Sequence, residues 1–515
     1  MMRHSKRIVT AIAAVAVATL ALSGCSTTDA PVTETKKTLT LGVSSTDQWG
    51  FVRSDISTQV HLSAAYWMPL YDTIVKITPD LEILPNLATK WEFNADRTEI
   101  TFTIRDDVKF TDGTKLDAAA IAANIIAFRD GGGGEVTQAA ASIADAVAKD
   151  ATTLVVTLKQ ADPSVLPAMA ATLGAVFLPA DIANPNKDKA AVPIGSGPYT
   201  LDEANTTPDS IYTYVRNKDY WDPESYPFDT IVLKPLVDNA ARMNALKAGE
   251  IDGARVQAAD AADIEGSGFT LNTGVANWAG LHLLDRDGTI VPALANLKVR
   301  QAINMVFDRA SIVKNVYQGY GVPNNQAFRD GSAAFVADET DKYPFDIEAA
   351  KKLMAEAGYA DGFDITIPAI IGNHDAIMPI ITQQLGEIGI RVTVEQFQLG
   401  DYFNEVFAKK YGIVFVSLPS FDDWRDVTGM VSPEALWNVF GTEDPALDKL
   451  IDEARTTTGD QQDAAFQGIG KYLLDNAWYA PWATPNVIYA TNDTVSVQLS
   501  PGQIEPLIWD IKPID

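Results

Sequence analysis

Few side chains in this sequence have the types and spacing that catalysis requires. The single cysteine is Cys25. The four histidines lie far apart: His4, His61, His282 and His374. A hydrolase needs a nucleophile with a base, a metal or paired carboxylates, but Gly-x-Ser-x-Gly and His-Glu-x-x-His motifs do not occur. The acidic run Asp285–Gly288 lacks the remaining positions of a calcium loop and predicts a tight turn. We therefore expect a protein that is not an enzyme and binds no metal or cofactor; an exported hydrolase with paired carboxylates is the alternative.

The N-terminal segment determines the predicted compartment. Arg3, Lys6 and Arg7 precede the apolar run 8–22, which is shorter than the roughly 20 residues of a membrane-spanning helix. A basic start, a short apolar run and small residues at its end are typical of a signal peptide, predicted at 1–24.

The residues that follow this apolar run suggest a membrane anchor. Leu22-Ser-Gly-Cys25 resembles the lipobox of bacterial lipoproteins. The resemblance implies that Cys25 is lipidated and that 25–37 form a tether. Two or more acyl chains hold a protein stably on a membrane. We therefore expect a cell-membrane location, facing the extracellular or periplasmic side.

Length and charge restrict the architecture and the partners. A single hydrophobic core stops growing near about 250–300 residues, so a chain of 515 residues is expected to contain at least two domains. Its net charge of −27 repels phosphate backbones, which argues against nucleic acid as a partner.

Hydrophobic periodicity places helices and strands in alternation. A helix is predicted over 114–128, and apolar residues from Val299 to Val313 recur at helical spacing and predict one helix. Asp346 is suited to cap another helix. Strands at 363–367 and 390–394 flank a helical stretch, which predicts a βαβ unit and an α/β fold.

Ten short motifs then occur in a characteristic order. They are LYDTIV at 70–75, LPNLA at 84–88, KWE at 90–92, TFTIRDDVKF at 101–110, DGT at 112–114, IGSGPY at 194–199, RNKDYW at 216–221, ALKAGEID at 245–252, VRQAIN at 299–304 and AEAGY at 355–359. This order resembles the family 5 extracellular solute-binding proteins of ABC transporters, the peptide, nickel and oligosaccharide group (cluster C).

The resemblance implies a two-lobed clamp of the type II periplasmic-binding-protein kind, with an extra small domain in the first lobe. The implied domains are lobe I at 38–75, 190–276 and 484–515, the small domain at 76–189, and lobe II at 280–480. Strands crossing near Val275–Leu283 and Tyr479–Val487 would form the hinge.

The resemblance also implies the function. A monomer would capture a small solute, such as an oligopeptide, and deliver it to an ABC permease complex. It would contact the membrane only through its lipid anchor. Use of the same clamp as a sensor or pheromone-type receptor is an alternative, because the sequence does not separate the two roles.

A clamp buries its solute between aromatic faces and a few polar groups. The predicted ligand contacts are Trp49, Trp67, Asn277, Trp278, Ser417, Phe421, Asp422, Asp423, Trp424 and Trp437. Trp437 is predicted on a helix after Pro433. Peptide-binding members usually have a Trp and an Ala-Asp-Tyr run near 415–425, which this chain lacks. Its aromatic and acidic residues there would hold a peptide amino group, another cation or a sugar.

Overall fold

A computed structural model of the chain describes residues 38–45, 51, 60–131, 136, 139–182, 192–275 and 277–514. In this part of the chain no helix is both long and apolar enough to cross a bilayer. Cys25 and the predicted signal peptide lie outside the described residues.

The strands lie along the whole described chain. In order they are β1 (Thr38–Val43), β2 (Val75–Ile77), β3 (Ile83–Pro85), β4 (Ala88–Phe93), β5 (Glu99–Ile104), β6 (Ile143–Ala148), β7 (Thr153–Leu158), β8 (Tyr199–Leu201), β9 (Tyr212–Arg216), β10 (Thr230–Pro235), β11 (Gly253–Val256), β12 (Thr270–Val275), β13 (Asn277–Leu283), β14 (Gly321–Pro323), β15 (Phe363–Ile370), β16 (Ile390–Phe397), β17 (Ile413–Pro419), β18 (Tyr479–Thr491), β19 (Val495–Val497) and β20 (Ile511–Pro513).

The α-helices alternate with these strands. They are α1 (Val60–Trp67), α2 (Ala118–Asp130), α3 (Val165–Met169), α4 (Pro179–Ile182), α5 (Asn239–Lys247), α6 (Ala258–Gly266), α7 (Leu297–Met305), α8 (Arg309–Asn315), α9 (Ile347–Glu356), α10 (Met378–Gly386), α11 (Leu399–Phe407), α12 (Asp423–Met430), α13 (Pro445–Thr456) and α14 (Asp460–Asp475). The predicted α/β class is confirmed.

One large sheet runs through the chain in the order β17-β13-β18-β11-β1-β10-β9-β8. β1 is parallel to β10 and β11, with Leu41 opposite both Leu233 and Gly253. The first half of β18 pairs with β13 and β14, and its second half pairs with β11 and β12. Because β12 and β13 follow each other in the chain, β18 and this β12–β13 pair are the strands that connect the two halves of the sheet.

The buried apolar residues form two groups on either side of these crossing strands. One group lies within 39–264 and 488–511, and the other within 278–483. We call the two parts the first lobe and the second lobe. The first lobe also contains the separate antiparallel sheet β4-β5-β7-β6. The more detailed domain limits predicted from the sequence stay a prediction.

Local capping explains where the predicted helices differ from the observed ones. α2 begins at Ala118, four residues later than predicted, because the Asp117 carboxylate accepts the Ala120 N–H at 3.0 Å. The single helix predicted over Val299–Val313 is wrong. Asp308 starts a new helix by accepting the Ser311 N–H at 3.0 Å, which separates α7 from α8.

The predicted βαβ unit is confirmed. β15 and β16 are parallel, with Ile365 opposite Val392, and α10 connects them. Asp346 caps α9 by accepting the Ala349 N–H at 2.9 Å.

The IGSGPY motif has a packing role. A Cβ atom on Gly195 would lie 1.9 Å from the Leu70 carbonyl oxygen, and one on Gly197 would lie 2.4 Å from the Leu70 carbonyl carbon. The Gly197 N–H donates to the same Leu70 oxygen at 2.9 Å. Both glycines are therefore required by the close approach of two backbone segments.

Candidate functional site

The candidate site is built around the segment 417–425, which we call the aromatic–acidic loop. It comprises the end of β17, the connection 420–422 and the start of α12. Asp422 is the N-cap of α12, and its carboxylate accepts the Arg425 N–H at 2.9 Å. Asp423 accepts the N–H groups of Ala333 and Ala334 at 2.9 and 3.2 Å. Both predicted acidic residues are thus fixed by backbone donors of the second lobe, and burial raises the pKa of Asp422.

Two residues of the aromatic–acidic loop contact the first lobe. The Trp424 indole Nε1–H donates to Asp162 Oδ1 at 3.0 Å, across 262 sequence positions. The Phe421 ring lies so close to Gly502 that a Cβ on Gly502 would be 2.2 Å from Phe421 Cδ1. The Arg425 guanidinium covers the Phe421 ring at 3.6 Å from its centroid. The loop is therefore located where the two lobes meet.

A polar contact joins Asn277 of β13 to Ser417, the first residue of this loop. The Asn277 Nδ2 donates to Ser417 Oγ at 2.9 Å, and Ser417 is exposed. Asn277 is the first residue of β13, next to the crossing strands, and Ser417 is near the end of β17, where the aromatic–acidic loop begins. The structure thus brings Asn277, Ser417 and the aromatic–acidic loop together, and their role as ligand contacts stays a prediction.

Two predicted tryptophans are part of the lobe interiors. Trp67 is 1% exposed and packs in the core of the first lobe. Trp278 is also 1% exposed; its Nε1–H donates to the Met430 sulfur at 3.3 Å, and its ring packs edge-on against Tyr479. The contacts described for these rings are core contacts, and their ligand role stays a prediction. Trp49 lies outside the described residues.

Trp437 does not lie on a helix, as was predicted, but in a series of turns after Pro433. The Asn438 side chain explains the turns, because its Nδ2 donates to the carbonyls of Ser432 and Thr442 at 3.2 and 2.9 Å. The half-buried Trp437 ring packs edge-on against Phe407, at 5.3 Å between centroids. This contact is separate from the aromatic–acidic loop.

The sequence does not indicate a second set of polar residues, which lies in the first lobe. Glu505 accepts the Ser44 N–H at 2.9 Å and the Ser44 hydroxyl at 2.8 Å. Ser44 follows β1 directly, and Arg255 lies on the neighbouring parallel strand β11. No motif marks these residues, because only the strand order brings them together.

Asp426 lies beneath the aromatic–acidic loop and is 5% exposed. Its carboxylate accepts the Phe421 N–H at 3.1 Å and the Ser420 hydroxyl at 3.0 Å. Burial raises the pKa of Asp426 to about 8, although the hydrogen bond from Phe421 opposes the change. The folded protein therefore holds a proton near neutral pH that the unfolded chain, with a carboxyl pKa of about 3.9, has released.

The protonation of Asp426 has a testable effect on the free energy of unfolding. Because the folded state binds more protons between about pH 4 and 8, the contribution of Asp426 decreases as pH rises through that window. We compare the free energy of unfolding of Asp426→Asn with that of the wild type. We expect the variant's value minus the wild-type value to be at least about 1.4 kcal/mol larger at pH 8 than at pH 5. Urea unfolding of both proteins at the two pH values measures this difference. A pH-independent difference would contradict the assignment.

Among the described residues, no group of three or more His, Cys, Asp or Glu side chains is arranged to hold a metal ion. The Asp285 carboxylate accepts the N–H groups of Thr289, Ile290 and Val291 at 2.7, 2.7 and 2.6 Å. The tight turn predicted there is confirmed.

Comparison with known sequences matches the chain to solute-binding proteins. The sequence profile of the bacterial extracellular solute-binding proteins, family 5 (middle region), matches residues 82–432. The glutathione-binding protein GsiB of Escherichia coli (strain K12) is 28% identical over 355 residues, which is 68% of this chain and 68% of GsiB.

Solved structures share the fold over nearly the whole chain. DppA of Helicobacter pylori, an ABC transporter-associated periplasmic binding protein in complex with the peptide STSA, has a TM-score of 0.74 at 20% identity and covers 92% of this chain and 98% of DppA. NikA of Brucella suis, in complex with Fe(III)-EDTA, has a TM-score of 0.76 at 21% identity and covers 93% of this chain and 100% of NikA. The predicted two-lobed binding-protein fold is confirmed.

Proposed function

This chain belongs to the bacterial extracellular solute-binding proteins of family 5, and from that premise we propose that it captures a small solute between its lobes and delivers it to the permease of an ABC importer. The observation that carries the proposal is the pair of contacts between lobes. Within the aromatic–acidic loop, Phe421 packs on Gly502 and Trp424 donates to Asp162. A loop that can form and break such contacts encloses a solute when the lobes close.

Strand connectivity supports a hinge. Among the described residues, the backbone passes from one lobe to the other through the β12–β13 pair and through the middle of β18. Small dihedral changes there would rotate one core against the other without disturbing either. Solute binding then shifts the population toward the closed form. The size of the shift is set by how much more tightly the solute binds the closed form than the open form.

Hydrolysis is not part of the proposal. The polar groups at the lobe contacts are engaged by backbone or hydroxyl donors, as with Asp423 and Glu505. In this proposal the solute leaves the protein chemically unchanged.

We also propose that the chain is held on the outer face of the cell membrane through lipid on Cys25. The support is the Leu22–Cys25 sequence after a short apolar run. Radiolabelled palmitate added to producing cells is expected to label the wild type, whereas Cys25→Ser is expected to carry no label. Labelling of the variant would contradict the anchor.

The relatives differ in what they bind, so the solute must be found by screening. We propose a thermal-shift screen of the mature chain with short peptides, glutathione, sugars, polyamines and metal chelates. A solute at 100 times its dissociation constant stabilises the folded state by about 2.7 kcal/mol. Chromatography of the recovered solute checks that it is unchanged. The proposal fails if no member of these classes raises the melting temperature or if the bound compound is converted to a product.

A further inference from the structure

Arg255 occupies a distinctive place in the first lobe. It lies on β11, next to Val256 at the end of the strand. β11 is parallel to β1, with Gly42 opposite Ala254, so the carboxyl ends of both strands are at the same edge of the sheet. Ligands of open α/β sheets bind outside the carboxyl ends of parallel strands.

The packing of β11 turns Arg255 away from the helical side of the sheet. Ala254 and Val256 are buried in the cluster that contains α5 and α6. Side chains alternate between the faces of a strand, so Arg255 is on the opposite face, and it is half-buried. Burial lowers the pKa of the Arg255 guanidinium.

Arg255 differs from the other arginines in its partners. In the described residues, every other arginine is engaged by a carboxylate, a carbonyl, an amide oxygen or an aromatic ring. These contacts involve Arg97, Arg105, Arg129, Arg216, Arg242, Arg286, Arg300, Arg309, Arg329, Arg391, Arg425 and Arg455. No described residue forms a hydrogen bond or an ion pair with the Arg255 side chain. The five N–H donors of this half-buried guanidinium therefore have no acceptor among the described residues.

The negatively charged neighbour of Arg255 does not supply the missing acceptor. Glu505 interacts electrostatically with Arg255, but its carboxylate is held by the Ser44 N–H and hydroxyl. Glu505 is three residues from Gly502, on which the Phe421 ring of the second lobe packs. Arg255 is therefore near the meeting point of the lobes, within the electrostatic reach of Glu505.

We propose that Arg255 is the anion-binding residue of the cleft and that the solute carries a carboxylate group. A guanidinium forms two parallel N–H···O bonds with a carboxylate, and this match in geometry is specific to arginine. The solute carboxylate would supply the acceptors that the described residues do not. This inference rests on the proposed function and names the chemical class of its solute.

Matched compounds test the inference directly. Each carboxylate-containing member of the screen, beginning with short peptides, is compared with its carboxamide by calorimetric titration. We expect the free acid to bind the wild type about tenfold or more tightly than the amide, as for a hydrogen bond to a charged group. Arg255→Gln is expected to lose this discrimination and to bind the acid about tenfold more weakly, while Arg255→Lys falls in between.

Two further measurements separate this role from a structural one. Arg391→Gln, which removes an exposed ion pair with Asp364 in the second lobe, should bind the acid as the wild type does. The melting temperature of solute-free Arg255→Gln should equal or exceed that of the wild type, because no hydrogen bond or ion pair with a described residue is lost. Equal binding of acid and amide, or unchanged affinity in Arg255→Gln, overturns the inference and leaves the proposed function standing. Binding of neither compound by the wild type also overturns the inference. The proposed function then fails only if the remaining classes of the screen do not bind either.

Discussion

Replacing Gly502 with alanine is expected to weaken solute binding about tenfold or more while leaving both lobes folded. The new Cβ would lie 2.2 Å from Phe421 Cδ1 and 2.5 Å from Cε1. The Arg425 guanidinium on the Phe421 ring opposes any movement of that ring. Overpacking of this kind costs about 1–3 kcal/mol. Because Gly502 and Phe421 are in different lobes, we expect the cost to fall on the closed form. Calorimetric titration with the solute from the screen measures it.

Backbone strain at the same glycine requires a matched control. Gly502 has φ +73°, which an alanine adopts with difficulty. Gly268, between α6 and β12, has φ +94°, and no atom lies within 4 Å of a Cβ placed there. Gly268→Ala should therefore lower the melting temperature to a similar extent and bind normally. If the two variants bind the solute equally well, the contact at Gly502 does not control closure.

Replacing Asp285 with alanine is expected to give a large loss of stability. The Asp285 side chain is 0% exposed and accepts three backbone N–H groups. Thr289 and Ile290 are exposed, so their N–H groups can turn to water, but Val291 is buried. We expect a decrease of about 2–4 kcal/mol in the free energy of unfolding of the second lobe. Urea unfolding followed by tryptophan fluorescence measures this decrease.

The neighbouring Asp287 supplies the control for that experiment. It lies in the same turn but is exposed. Asp287→Ala should change stability by less than about 0.5 kcal/mol. Equal destabilisation by the two substitutions would show that the charge of the turn, and not the hydrogen bonds to Asp285, stabilises it.

Much of the fold could be predicted from the sequence because its signals are local or carried by family motifs. The βαβ unit followed from apolar periodicity, and the Asp346 cap from its position before an amphipathic helix. Apolar spacing does not indicate the break between α7 and α8, because it continues through Val306, whereas α7 ends at Met305 and Asp308 caps a new helix. Periodicity reports burial, and burial continues here after the helix has ended.

The site was less predictable because its contacts join distant residues. Residue type indicated Trp424 and Asp423, but the partners of these side chains are Asp162 and the backbone at Ala333, far along the chain. Arg255 was not identified at all. Its significance depends on the parallel pairing of β11 with β1 and on the absence of a partner among the described residues, and neither feature is encoded in a motif.

Small-angle X-ray scattering of the mature chain, with and without the solute found by screening, tests the hinge most directly. Saturating solute is expected to reduce the radius of gyration of the wild type, because the lobes rotate toward each other around β18 and the β12–β13 connection. Scattering curves that superimpose at every solute concentration would contradict lobe closure as the means of capture.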